Sequence, residues 1–198
     1  MEPMRIEASF RSEESFTQPG FRAWLETLAP DTLGKCELLR GRIVVSPPAR
    51  ARHGLAEMSV AAILRGHVRA HALGLCFGPS TGYELPSGDT LQPDASFVSN
   101  ARWQAAGEPD LDAFLPVVPD LVVEILSPSS IARDRGEKRE IYAANGVAEY
   151  WIVDTATRRL EIHVLSGADF AVPLVFEHGR VRSSVLPGLD VQVEDLFA

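Results

Sequence analysis

The chain has 198 residues, 45% of them hydrophobic, enough for one domain with a substantial core. Its formal net charge of −8 excludes a uniformly basic nucleic-acid binder, although a local basic groove can sit on an acidic body. Cys36 and Cys76 are too few and too far apart for a disulfide framework or a zinc site. No apolar run reaches membrane length and residues 1–10 carry no secretory pattern, so an intracellular, cytoplasmic protein with no membrane partner is expected.

In chain order, residues 1–17 read as irregular, with 1–20 forming an N-terminal extension and 21–198 a single domain. Phe21, Trp24, Leu25 and Leu28 fall at helical spacing and predict a short helix ended by Pro30 and Gly34. Residues 36–39 and 42–45 flank Arg40-Gly41 as a hairpin, which Pro47 and Pro48 terminate. Val60, Ile63, Leu64, His67, Val68 and His71 trace one face of a helix running from residue 53 to about residue 73, with Gly74 as its stop. Short strands are expected at 75–77, 83–85 and 95–98, followed by a long loop with little structure over 99–118. A strand within 119–127, a helix over 133–144 and a strand at 149–153 come next. A meander from residue 160 to 176 and a closing segment over 186–197 complete the chain. This order predicts an α/β or α+β sheet with helices packed against it.

Glu124 stands out within the apolar run Leu121-Val-Val-Glu-Ile125. A carboxylate on a buried strand must be protonated, paired with a cation or bound to a metal. Asp94 opens another apolar strand, and Lys138 begins the helix after the Glu124 strand. Two acids and a lysine are the minimum kit for binding a hard divalent cation and activating water beside it. Asp134, Lys138 and Tyr142 share one helix face at four-residue intervals. Glu37 alternates with apolar neighbours on the hairpin and is a candidate third acid. Gln92, two residues before Asp94, is a weaker candidate. For His53, at the start of the long helix, and Glu57 one turn later, a structural or capping role weighs more. Arginines gather at 40, 42, 50 and 52 and again at 133, 135 and 139. No phosphate-binding glycine loop, HExxH or Gly-x-Ser-x-Gly is present.

Taken in order, Glu37-Leu-Leu-Arg-Gly41, Gly82-Tyr83, Pro93-Asp94, Pro119-Asp-Leu-Val-Val-Glu-Ile-Leu-Ser-Pro128, Asp134…Lys138…Tyr142 and Gly146-Val-Ala-Glu-Tyr-Trp-Ile-Val-Asp154 resemble the Uma-two family. These are restriction-endonuclease-like proteins of the PD-(D/E)XK nuclease superfamily. The resemblance implies an α/β (α+β) fold: a restriction-endonuclease-like mixed β-sheet with an αβββαβ core, an N-terminal hairpin and C-terminal strand decorations. Its first core helix would be the one from His53. The superfamily's usual lysine lies two residues after the second acid, where this chain has Leu126, and the family pattern points instead to Lys138.

The activity implied is Mg²⁺- or Mn²⁺-dependent hydrolysis of DNA phosphodiester bonds. Asp94, Glu124 and the Ile125 carbonyl would hold the metal, Lys138 would orient the attacking water or stabilise the transition state, and Asp134 and Tyr142 would fix Lys138. DNA is the expected partner. A homodimer is also expected to be considered, because duplex cleavage needs two active sites. The alternatives are a nuclease-fold module without catalysis, serving nucleic-acid or protein interaction, and a metal-dependent hydrolase of another phosphate ester.

Overall fold

The computed structural model describes residues 10–29 and 34–198. Residues 1–9, and Pro30 as the expected helix stop, lie outside the described residues. The chain opens with β1 (Phe10–Arg11), which pairs antiparallel with a later strand, so part of the stretch expected to be irregular adds an edge to a sheet. Helix α1 (Gln18–Leu25) starts earlier than its apolar spacing predicts, because Thr17 caps it by accepting the Gly20 amide. The hairpin forms as expected from β2 (Lys35–Leu39) and β3 (Arg42–Ser46). Arg40 and Gly41 both take positive φ, the primed two-residue turn that matches strand twist.

Helix α2 (Ala51–Ala70) buries Ala56, Val60, Leu64 and Val68, each of the larger ones stabilising by roughly 1.5–3 kcal/mol. Strands β4 (Gly74–Phe77), β5 (Tyr83–Glu84), β6 (Thr90–Leu91) and β7 (Ala95–Ser99) follow. The expected loop over 99–118 is partly helical: α3 (Asn100–Ala105) is nucleated by Ser99, whose hydroxyl accepts the Arg102 amide. Asp120 supports the same turn by accepting the Ser99 amide and pairing with Arg102.

After β8 (Leu121–Ile125) one helical stretch is built from α4 (Ile131–Arg133), a π-helical turn (Asp134–Lys138) and α5 (Arg139–Ala144). Strands β9 (Glu149–Asp154), β10 (Arg159–Ser166), β11 (Asp169–Phe170) and β12 (Leu174–Phe176) form the meander. β13 (Arg180–Arg182), β14 (Asp190–Gln192) and a 3₁₀ turn (Val193–Phe197) close the chain.

The main sheet runs β11-β10-β9-β8-β7-β4, with β12 also beside β10. β8 and β9 are parallel and the other pairings antiparallel, so the sheet is mixed. Helix α2, the strands β4, β7 and β8, the α4–α5 stretch and β9 supply the αβββαβ order. One face of the sheet packs on α2 through Phe97, Val123, Ile125, Trp151 and Val153. The other, bearing Val98, Val122, Tyr150 and Ile152, packs on α5 and the second sheet, β1-β3-β2-β6-β5.

Candidate active site

Alternation along β8 sends Leu121, Val123 and Ile125 toward α2, which puts Glu124 on the opposite face with Val122. β2 answers from across the layer. Its Cys36 and Leu38 pack with Phe21, so Lys35, Glu37 and Leu39 turn toward the main sheet. The π-helical turn aims both Asp134 and Lys138 into the gap, and Tyr142 follows one turn later; all three are buried.

Lys138 Nζ lies 2.8 Å from Glu124 Oε1, 2.8 Å from Glu37 Oε1 and 3.8 Å from Asp134 Oδ1, with 2% of its side chain exposed. Tyr142 donates its hydroxyl to the same Glu124 oxygen at 2.7 Å, and the Gln92 amide donates to Glu37 Oε1 at 2.9 Å. Burial disfavours the Lys138 charge, but Glu124, Glu37 and Asp134 outweigh it and raise the ammonium's pKa. Burial pushes the Glu124 carboxyl up to about 7 against the pull of Lys138 and Lys35.

Asp94 sits one residue before β7. Its amide bonds the Val123 carbonyl just ahead of the pairing Ala95↔Val123, so the chain leaves the regular ladder there. Asp94 Oδ2 accepts the Ile125 amide at 2.7 Å, Lys35 Nζ stands 2.5 Å from Oδ1, and His53 Nε2 is 3.3 Å from Oδ2. Burial would raise the Asp94 pKa, yet Lys35 and His53 hold it far below the usual carboxylate range. In return Asp94 keeps the His53 pKa raised against the effect of burial. His53 Nδ1 faces Glu57 at 3.7 Å. The histidine in the first turn of α2 therefore reaches the acid cluster.

Among the described residues no three of His, Cys, Asp and Glu stand together as a ready-made metal cage. The proposed donors Asp94, Glu124 and the Ile125 carbonyl include only two side chains. The charge balance still fits a divalent cation. Glu37, Glu57, Asp94, Glu124 and Asp134 face two ammonium groups, Lys35 and Lys138, and one imidazole. Glu37 Oε2 and Asp134 Oδ1 are buried with no hydrogen-bond partner among the described residues. Oxygen donors with surplus negative charge suit a hard ion such as Mg²⁺ or Mn²⁺.

A family model, Uma2, described as "Putative restriction endonuclease", matches residues 21–194. The chain belongs to the Uma2 family. This bears out the resemblance carried by its ordered motifs. Among solved structures, one titled as that of a putative nuclease belonging to DUF820 from Anabaena variabilis is similar, with a TM-score of 0.75 and 17% identity. The match covers 92% of this chain and 97% of that one, a likeness of fold that agrees with the restriction-endonuclease-like mixed sheet. Comparison with curated proteins finds no match.

Within this Uma2 chain the residues expected at the site fall into two clusters that meet at adjacent residues of β8: Glu124, Lys138, Glu37, Asp134 and Tyr142, joined by the Gln92 amide, and Asp94 with His53, joined by the Ile125 amide. Lys35 was not singled out by the sequence. Period-two alternation could have found it, since Lys35 shares the Glu37 face of β2. The arginines that gather at 40–52 and 133–139 are mostly engaged with other groups. Arg40 pairs with Glu140, Arg135 with Glu161 and Asp154, and Arg139 with Asp169, while Arg133 donates to the Ser46 hydroxyl. Arg50 and Arg52 are exposed and make no ion pair among the described residues. No helix among those residues is long and apolar enough to cross a membrane.

Proposed function

We propose that the protein is a metal-dependent endonuclease that hydrolyses DNA phosphodiester bonds. The observation that carries this reading is the set of buried carboxylates Glu37, Asp94, Glu124 and Asp134, with Asp94 bonded through Oδ2 to the amide of Ile125, the residue after Glu124. A bound Mg²⁺ or Mn²⁺ would lower the pKa of a water and offset charge growing on the phosphate. Asp94, Glu124 and the Ile125 carbonyl would hold it. Lys138 and Tyr142 both occupy Glu124 Oε1, which fixes the carboxylate and leaves Oε2 as the oxygen to offer. Lys138 thereby acts through Glu124, with Glu37 and Asp134 holding the ammonium in turn. His53 and the Ile125 amide orient Asp94. Arg50, which caps the helix that bears His53, and Arg52 in its first turn would meet a phosphate backbone.

The test is plasmid nicking in Mn²⁺ or Mg²⁺ by the wild type, Asp94→Asn and Glu124→Gln. Nicking by the wild type alone supports the assignment, and equal nicking by all three sinks it. A substrate panel of duplex DNA, single strands, RNA and small phosphodiesters separates DNA hydrolysis from other phosphate-ester chemistry.

The competing reading, a nuclease-fold module that binds without cutting, draws on one observation. Three of the seven clustered arginines, Arg40, Arg135 and Arg139, are tied to acids, which reduces the free basic surface on a chain of net charge −8. Failure of the wild type to take up Mn²⁺ in calorimetry would favour it.

A further inference from the structure

The site holds two lysines in unequal settings. Lys138 is enclosed by Glu37, Glu124 and Asp134 with 2% of its side chain exposed, and its buried partners leave it no other place to go. Among the described residues Lys35 contacts one carboxylate, Asp94, and 22% of its side chain is exposed. It stands at the first residue of β2, where the ladder ends. Asp94 is otherwise fully engaged, by the Ile125 amide and His53 on Oδ2, so Lys35 is the one group on Oδ1 among the described residues.

We propose that Lys35 is the exchangeable cation of this site, resting on the metal-centre reading above. Its ammonium neutralises Asp94 Oδ1 while no divalent ion is bound, yields that oxygen when one arrives, and then turns to an oxygen of the bound phosphodiester. No bond is made or broken in this exchange. One ion replaces another beside a carboxylate, and a freed ammonium pairs with a phosphate anion. The same position explains how a chain with Leu126 where a lysine would be usual can still present an ammonium to its substrate: Lys138 is fixed and structural, whereas Lys35 is open.

The experiment is Mn²⁺ titration calorimetry on the full chain, with Lys35→Met and Lys35→Gln compared to wild type and Asp94→Asn. Thermal melts confirm that each variant folds, and the glutamine keeps a polar head should methionine disturb the strand. Removing a full positive charge from beside the incoming ion should tighten Mn²⁺ binding about tenfold. Both Lys35 variants should nick DNA more slowly despite the tighter metal, and Lys35→Arg should recover part of the rate. Unchanged or weaker Mn²⁺ affinity in both variants, or nicking equal to wild type, overturns the proposal. Wild-type Mn²⁺ binding that Asp94→Asn abolishes, with Lys35 variants unaltered, sinks this inference alone. No Mn²⁺ binding by the wild type sinks the metal centre and the inference together.

Discussion

Tyr142 places its hydroxyl 2.7 Å from the Glu124 oxygen that Lys138 also holds, so one carboxylate oxygen takes two donors in a dry interior. The contact ties α5 to β8 and ties the chemistry of Glu124 to the packing of the helix. Tyr142→Phe removes one donor and keeps the ring, including its packing against Tyr150. Hydrogen bonds to charged groups contribute about 1.5–3 kcal/mol. The variant should lose stability of that order in urea unfolding, and its Glu124 should bind Mn²⁺ more weakly because it is no longer fixed.

Lys138 is the counter-ion on which the interior depends. Lys138→Met leaves Glu37, Glu124 and Asp134 buried without their cation, and breaking a buried pair in this way costs about 3–5 kcal/mol. Adding Glu37→Gln to that background removes one stranded charge while keeping an acceptor for the Gln92 amide. Urea denaturation should therefore show the double variant more stable than Lys138→Met alone. An equal or lower midpoint would mean that Glu37 does not answer Lys138 energetically.

How much of this was written in the sequence depends on the kind of signal. Glu124 could be read because a charge in an apolar strand costs too much to be accidental, and Lys138 with Tyr142 because helical spacing stacks them on one face. The hairpin was legible from Arg40-Gly41, and α2 from its apolar stripe. Lys35 was not, because a lysine at a strand's first residue looks like any surface charge until β2 is known to pack against the main sheet. The π-helical turn was hidden too, since nothing in Asp134-Arg-Gly-Glu-Lys138 distinguishes it locally from an α-helix. Helix α3 was masked by the glycines and prolines around it, although Ser99 is an ordinary cap. The pairing of Arg40, Arg135 and Arg139 with acids is a tertiary fact that no spacing rule reports.

Divalent ions should stabilise the folded chain, because a site built by folding binds the native state alone. Mn²⁺ at one hundred times its dissociation constant adds about 2.7 kcal/mol, visible as a rise in melting temperature. Asp94→Asn and Glu124→Gln should not respond. Burial holds the Glu124 pKa up at about 7, so below that pH the ion must expel a proton in order to bind. The wild-type shift should accordingly be larger at pH 8 than at pH 6. A shift of equal size at both values, or one retained in Glu124→Gln, would place the ion elsewhere.

His163 offers a pH test at a residue that is not among the expected metal donors. It lies on β10, buried, with its ring near Tyr150 and Phe170, and neither ring nitrogen has a hydrogen-bond partner among the described residues. Burial lowers its pKa below the usual 6.5, with Arg139 and Arg135 adding to the effect and the pull of Glu161 falling short. The unfolded chain therefore binds a proton just below pH 6.5 that the folded chain refuses, and stability rises with pH across that window. The contribution is complete above pH 6.5 and is lost as the pH falls through the lowered folded-state value. His163→Phe preserves an aromatic ring against Tyr150 and has no proton to bind. In urea unfolding from pH 5 to 7.5, subtracting the variant's curve from the wild type's should leave a difference that increases with pH below 6.5 and is flat above it. A difference independent of pH would mean that His163 titrates alike in both states, and that its burial carries no electrostatic cost.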